Sequence, residues 1–131
     1  MKAEVKWIED LKFVGKTDKN QEITIASGDS TYLSPMEMVL LAAGGCSSVD
    51  VVDGLKTANQ NVTGCVAKLS STRRDTAPKY FTQINIHFEV SGDELDPAIV
   101  AKVAQDSLEK YCSVCLMLDK GVQMTHSWEI I

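Results

Sequence analysis

Apolar and charged residues alternate from Ala3 to Trp7, the two-residue period of a strand with one buried face. Leu11 to Val14 and Glu22 to Ile25 read as two more short strands, with a turn at Asp18-Lys19-Asn20 between them. The pattern then changes. Ser34-Pro35-Met36-Glu37 is a helix start: Ser at the N-cap, Pro at the first helical position, Glu three residues after the Ser. No charged residue occurs from Met38 to Val49. A helix that is apolar on every side is surrounded by protein. This one is therefore predicted to be central, running to about Gln60 over roughly 39 Å at 1.5 Å per residue. Gly44 and Gly45 each weaken it by about 1 kcal/mol relative to Ala, and the pair predicts the close approach of another backbone.

Two longer strands come next. Cys65, Ala67 and Leu69 share one face of the first. In the second, Tyr80, Thr82, Ile84, Ile86, Phe88 and Val90 alternate with Gln83, Asn85, His87 and Glu89. Turn-forming residues from Asp75 to Pro78 join the two as an antiparallel hairpin. Asp96-Pro97 then starts a second helix, whose apolar stripe is Val100, Ala104, Leu108 and Tyr111. Cys115 and Leu118 extend that stripe through a kink or a new short helix near Cys112, and Gly121 ends it. A last strand places Val122, Met124, His126, Trp128 and Ile130 inward. Three strands, a long helix, two strands, one or two helices and a strand make an α+β protein, not a doubly wound sheet.

A chain of 131 residues suits a single domain spanning 1–131. Its net charge of −5 argues against a nucleic-acid partner, since a mildly acidic surface repels phosphates. No run of 18 apolar residues predicts a membrane span. The charged start Met1-Lys2-Ala3-Glu4 resembles neither a signal nor a transit peptide, so a cytoplasmic location is expected. There, structural disulfides are not expected. Cys46, Cys65, Cys112 and Cys115 are then core residues, redox residues or metal ligands.

Cys46 sits mid-way along the apolar helix, where a cysteine commonly acts as a small hydrophobe. To be reactive it needs a neighbouring cation or helix N-terminus. Cys112-Ser113-Val114-Cys115 has the C-x-x-C form, but a thioredoxin-like motif belongs after the first strand of a βαβ unit. A structural zinc needs a closed set of four ligands, and the chain has no second paired motif. The remaining reading makes Cys112 a thiol near a helix start and Cys115 a core residue. Cys65 alternates inward and is given no chemistry. His87 falls on a polar face, His126 on an apolar one, and Arg73-Arg74 reads as a solvated strand end. Glu37 is explained as a capping-box residue. No metal or cofactor is expected.

The segment from Ser34 to Cys46, a Pro-Glu start followed by a run of small residues into Cys, resembles the central helix of the OsmC/Ohr-like family. Tyr111-Cys112-Ser113-Val114 is similar to that family's second motif, usually Cys-Pro-Val-Ser. The order of elements resembles the family's fold over essentially the whole chain, and the YhfA-like branch in particular. The resemblance implies an α+β fold with sheets around a central buried helix, in an intertwined homodimer with sites at its interface. It also implies a thiol peroxidase that reduces organic hydroperoxides or hydrogen peroxide. Cys46 would be the peroxidatic residue, Cys112 the resolving residue, and an external thiol the reductant.

The chain departs from the family at two points. Characterised members have a Glu ten residues before the reactive Cys. Here that position is Met36, and Glu37, the candidate catalytic carboxylate, stands one residue later. They also use an Arg from the N-terminal strands, whereas this chain has none before Arg73 and offers Lys12, Lys16 and Lys19 instead. The alternative reading is a non-catalytic or ligand-binding relative that has lost peroxidase efficiency.

Overall fold

The computed structural model describes residues 1–131, and the architecture is α+β. The chain forms two compact units, Met1–Leu40 and Leu41–Ile131. In the first, β1 (Ala3–Glu9), β2 (Lys12–Thr17) and β3 (Glu22–Ala26) make an antiparallel sheet in that order. Asn20 takes a positive φ of 61° in the turn between β2 and β3, where the predicted Asp-Lys-Asn sits. The alternation predicted for β1 is present, but every residue of the strand is exposed, Trp7 at 64%. The pattern marks a strand without marking a core that one chain supplies.

The helix α1 (Pro35–Thr57) begins at the predicted capping box. The Glu37 N–H donates to Ser34 Oγ (3.1 Å), and the Ser34 N–H donates to a Glu37 carboxylate oxygen (3.0 Å). Two of the donors orphaned at a helix start are thereby satisfied. By length and apolar composition alone α1 passes for a membrane span. It nevertheless carries Asp50 and Asp53 and buries Val51 and Leu55 completely in protein, which fits a core helix. Within one chain α1 is covered on only part of its surface. Ala43, Gly44, Ser47, Val51 and Leu55 are buried, while Leu41 (57%) and Val49 (67%) stand exposed with Gly45 between them. The close approach at Gly44 is to a side chain, not a backbone. A Cβ there would lie 2.7 Å from Leu69 Cδ1, whereas one at Gly45 meets nothing.

In the second unit, β4 (Asn61–Arg73), β5 (Phe81–Asp93) and β6 (Gln123–Ile130) form a mixed sheet with β5 central, antiparallel to β4 and parallel to β6. The crossover that a parallel pair requires is made by α2 (Pro97–Asp106), a π-helical turn (Ser107–Tyr111) and α3 (Ser113–Leu118). Ile84, Ile86, Phe88 and Val90 of β5 are fully buried, with Leu55 of α1 and Val100 and Ala104 of α2. Four predicted inward positions of this unit are exposed instead: Tyr80, Thr82, Tyr111 and Ile130. Thr72 pairs with Gln83 but Arg73 with Phe81, so a bulge at Thr82 turns Phe81 inward and leaves Tyr80 52% exposed. On the second helix Tyr111 is 63% exposed. The π turn widens the helix there, and the Cys112 N–H reaches back five residues to the Ser107 carbonyl (2.7 Å). Cys112 takes the inward place instead.

Candidate functional site

Cys46 and Asp50 lie four residues apart on α1, and so share a face. Against that face the crossover brings Ser107 and Cys112, the two ends of the π turn. The Ser107 hydroxyl bonds the Ser47 carbonyl (3.0 Å) and the Asp50 carboxylate (3.3 Å), which ties the π turn to α1 and holds Asp50 in place. The Cys46 Sγ, the Cys112 Sγ and an Asp50 carboxylate oxygen all lie within 4.8 Å of one another. Short π-helical turns cost backbone geometry and recur at functional sites. This one delivers both Ser107 and Cys112 to α1.

Cys112 is fully buried, while Cys46 and Asp50 are partly accessible. Cys112 is the N-cap of α3, and its sulfur accepts the Cys115 N–H (3.3 Å). The helix start alone lowers a thiol pKa, as the sequence suggested for Cys112. Burial outweighs that, and the Cys112 thiol is pushed well above the ordinary cysteine value. Burial also raises Cys115, whose Sγ points to the Ala43 carbonyl (3.8 Å). Cys65 is raised by its half-buried place on β4.

These shifts have a pH consequence for stability. An unfolded cysteine loses its proton near pH 8.5, while Cys112 and Cys115 keep theirs to higher pH when folded. Their contribution is complete below about pH 8.5 and is lost as pH rises above it, because only the unfolded chain is then ionised. Urea denaturation of the reduced protein should give a lower midpoint at pH 9.5 than at pH 8. A Cys112→Ser/Cys115→Ser double variant should lose most of that difference, and an unchanged slope would contradict the assignment.

The remaining candidates have other work. The Glu37 carboxylate bonds the Ser34 N–H, which also lowers its pKa. Nine residues turn an α-helix through about 900°, so Glu37 and Cys46 leave α1 on opposite faces. Lys12 bridges to Glu9 (3.0 Å) and lies over the Tyr32 ring, and Lys16 faces Glu22 (3.9 Å). Arg73 bonds the Lys79 carbonyl and Arg74 stacks on Tyr80, closing the β4–β5 hairpin. His87 is held by Ser127 Oγ (2.7 Å) on the polar face of its sheet, and His126 is half-buried on β6. Asp50 and Ser107 were not singled out from the sequence. Asp50 carried a signal, as the first charge after the uncharged run and one turn beyond Cys46. Ser107 carried none, because only the π turn gives its position meaning.

The fold is that of a known class of protein. The family model for OsmC-like proteins matches residues 28–127, and the chain belongs to that family. It is 51% identical over 133 residues to Protein YhfA of Escherichia coli K12, covering 100% of this chain and 98% of that protein. A hypothetical protein from Aquifex aeolicus VF5 superposes with a TM-score of 0.90 at 32% identity, over 99% of this chain and 95% of that one. An organic hydroperoxide resistance protein OsmC from Legionella pneumophila shares the fold at a TM-score of 0.76 and 11% identity, over 97% of this chain and 94% of that one.

Proposed function

We propose that this protein is a thiol-dependent peroxidase that reduces small organic hydroperoxides or hydrogen peroxide in the cytoplasm, using Cys46 and Cys112. One observation carries the reading: two cysteines 66 positions apart (112 − 46) have their sulfurs within 4.8 Å. A disulfide needs about 2.05 Å, so the two sulfurs must move closer to bond. The Cys46 sulfur attacks the terminal peroxide oxygen and the O–O bond breaks. The alcohol, or water from hydrogen peroxide, leaves with the proton, and Cys46 becomes a sulfenic acid. The Cys112 sulfur then attacks that of Cys46, the S–O bond breaks and water departs. The Asp50 carboxylate, aligned by Ser107, takes the proton that Cys112 gives up and passes it to the leaving hydroxide, which departs as that water. An external thiol reduces the disulfide. Glu37 serves the site by fixing the first turn of α1.

The open face of α1 supports a homodimer. Leu41, Gly45 and Val49 leave an apolar strip that a second copy would cover. Sedimentation at micromolar concentration should show a dimer, and a stable monomer would contradict it.

One observation favours a ligand-binding or catalytically weak relative: the raised pKa of Cys112, with no arginine before Arg73 to favour a thiolate. The two readings separate in a peroxide-consumption assay with excess dithiol. The peroxidase reading expects sustained turnover by wild type and a Cys46→Ser variant at background. Wild type at the level of Cys46→Ser would leave the ligand-binding reading. Cys115→Ala should retain peroxide turnover while losing some stability. Its failure in a well-folded variant would revive a Cys112–Cys115 motif.

A further inference from the structure

We propose that Cys46, Cys112 and Asp50 form a three-ligand site for a thiophilic divalent metal ion such as Zn2+, with the fourth position open toward solvent. The donor set is two cysteine sulfurs and one carboxylate oxygen, all within 4.8 Å of one another. Ligand atoms around tetrahedral zinc stand about 3.5–3.8 Å apart, given Zn–S near 2.3 Å and Zn–O near 2.0–2.2 Å. Closing the set therefore takes about an ångström of side-chain movement. Two sulfurs select a borderline-soft ion over Mg2+ or Ca2+. Three protein ligands with one open position characterise exchangeable sites, not the closed four-ligand sites of structural zinc.

Two further features fit. The Ser107 hydroxyl bonds Asp50 (3.3 Å) from outside the donor set, the outer support that orients a ligating carboxylate. Cys46 and Asp50 are partly accessible while Cys112 is fully buried, so an ion would enter from the α1 side and meet Cys112 last. Binding converts two thiols to thiolates and releases two protons to solvent, so affinity climbs with pH. Bound metal blocks both sulfurs. On the peroxidase reading it is an inhibitor, and disulfide formation removes its ligands, but the binding itself does not depend on that reading.

The test uses reduced full-length protein with a non-thiol reductant under anaerobic conditions. Co2+ titration should give one ion per chain, with a thiolate-to-cobalt charge-transfer band that Zn2+ abolishes. Zn2+ should also protect the partly accessible Cys46 from alkylation. Cys46→Ser and Cys112→Ser should each remove about half of the band. Ser107→Ala should weaken binding about 10-fold and the near-isosteric Asp50→Asn by more, with circular dichroism confirming the fold. No stoichiometric binding, or binding unchanged in Asp50→Asn, overturns the site. A band that survives Cys46→Ser and disappears in Cys115→Ser assigns the ion to Cys112 and Cys115, and also overturns it. Peroxide turnover enters none of these readouts, so its absence would count only against the peroxidase reading.

Discussion

Cys112→Ser is expected to trap Cys46 in over-oxidised form when the protein is treated with excess peroxide. Serine keeps the size of the side chain, and its hydroxyl accepts the Cys115 N–H as the sulfur does, so the fold should hold. What is lost is the sulfur within 4.8 Å of Cys46. Cys115 points to the Ala43 carbonyl and Cys65 lies on β4 near Ser48. With no resolving thiol, a sulfenic acid is carried on to the sulfinic acid. Intact-mass and peptide analysis should find two oxygen atoms on the Cys46 peptide of the variant, and few on wild type. An unmodified Cys46, or a new disulfide to Cys65 or Cys115, would contradict the assignment of Cys112.

The largest stability effect is expected at Phe88. Its ring is fully buried on β5, the central strand of its sheet, beside the fully buried Ile86 and Val90 positions of the same strand. Phe88→Ala removes that ring and leaves a cavity the core refills only in part, at a cost of about 3–5 kcal/mol. Because self-association shifts apparent stability with concentration, urea curves should be compared at matched protein concentration. A loss below about 1 kcal/mol would mean that β5 is not the centre of the core.

The strength of the local signal decided what the sequence could reveal. The start of α1 was legible because Ser34, Pro35 and Glu37 act within one turn, and the structure has both capping bonds. The interior face of β5 was legible from Ile84 to Val90, where the period of two holds. It failed at Tyr80 because a bulge at Thr82 comes from pairing with β4, which no local pattern records. Tyr111 was misread for a similar reason. A stripe drawn at α-helical spacing slips where the helix opens into a π turn. The exposed strip on α1 was hidden, because an uncharged run does not say whether its own chain covers it.

For the site, resemblance singled out Cys46 and Cys112, and the structure brings their sulfurs together. The expected lowering of the Cys112 pKa went the other way, because burial outweighs a helix of one and a half turns. Asp50 and Ser107 emerged only when α1 and the π turn were set side by side.

The most direct test of a working Cys46/Cys112 pair is peptide mapping of peroxide-treated wild-type protein under non-reducing conditions. Oxidation should remove two hydrogen atoms from the protein mass and give a linked pair of peptides containing Cys46 and Cys112, restored to free thiols by dithiol. Protein that consumes peroxide with no 46–112 linkage, or that does so equally well as Cys46→Ser, would contradict it.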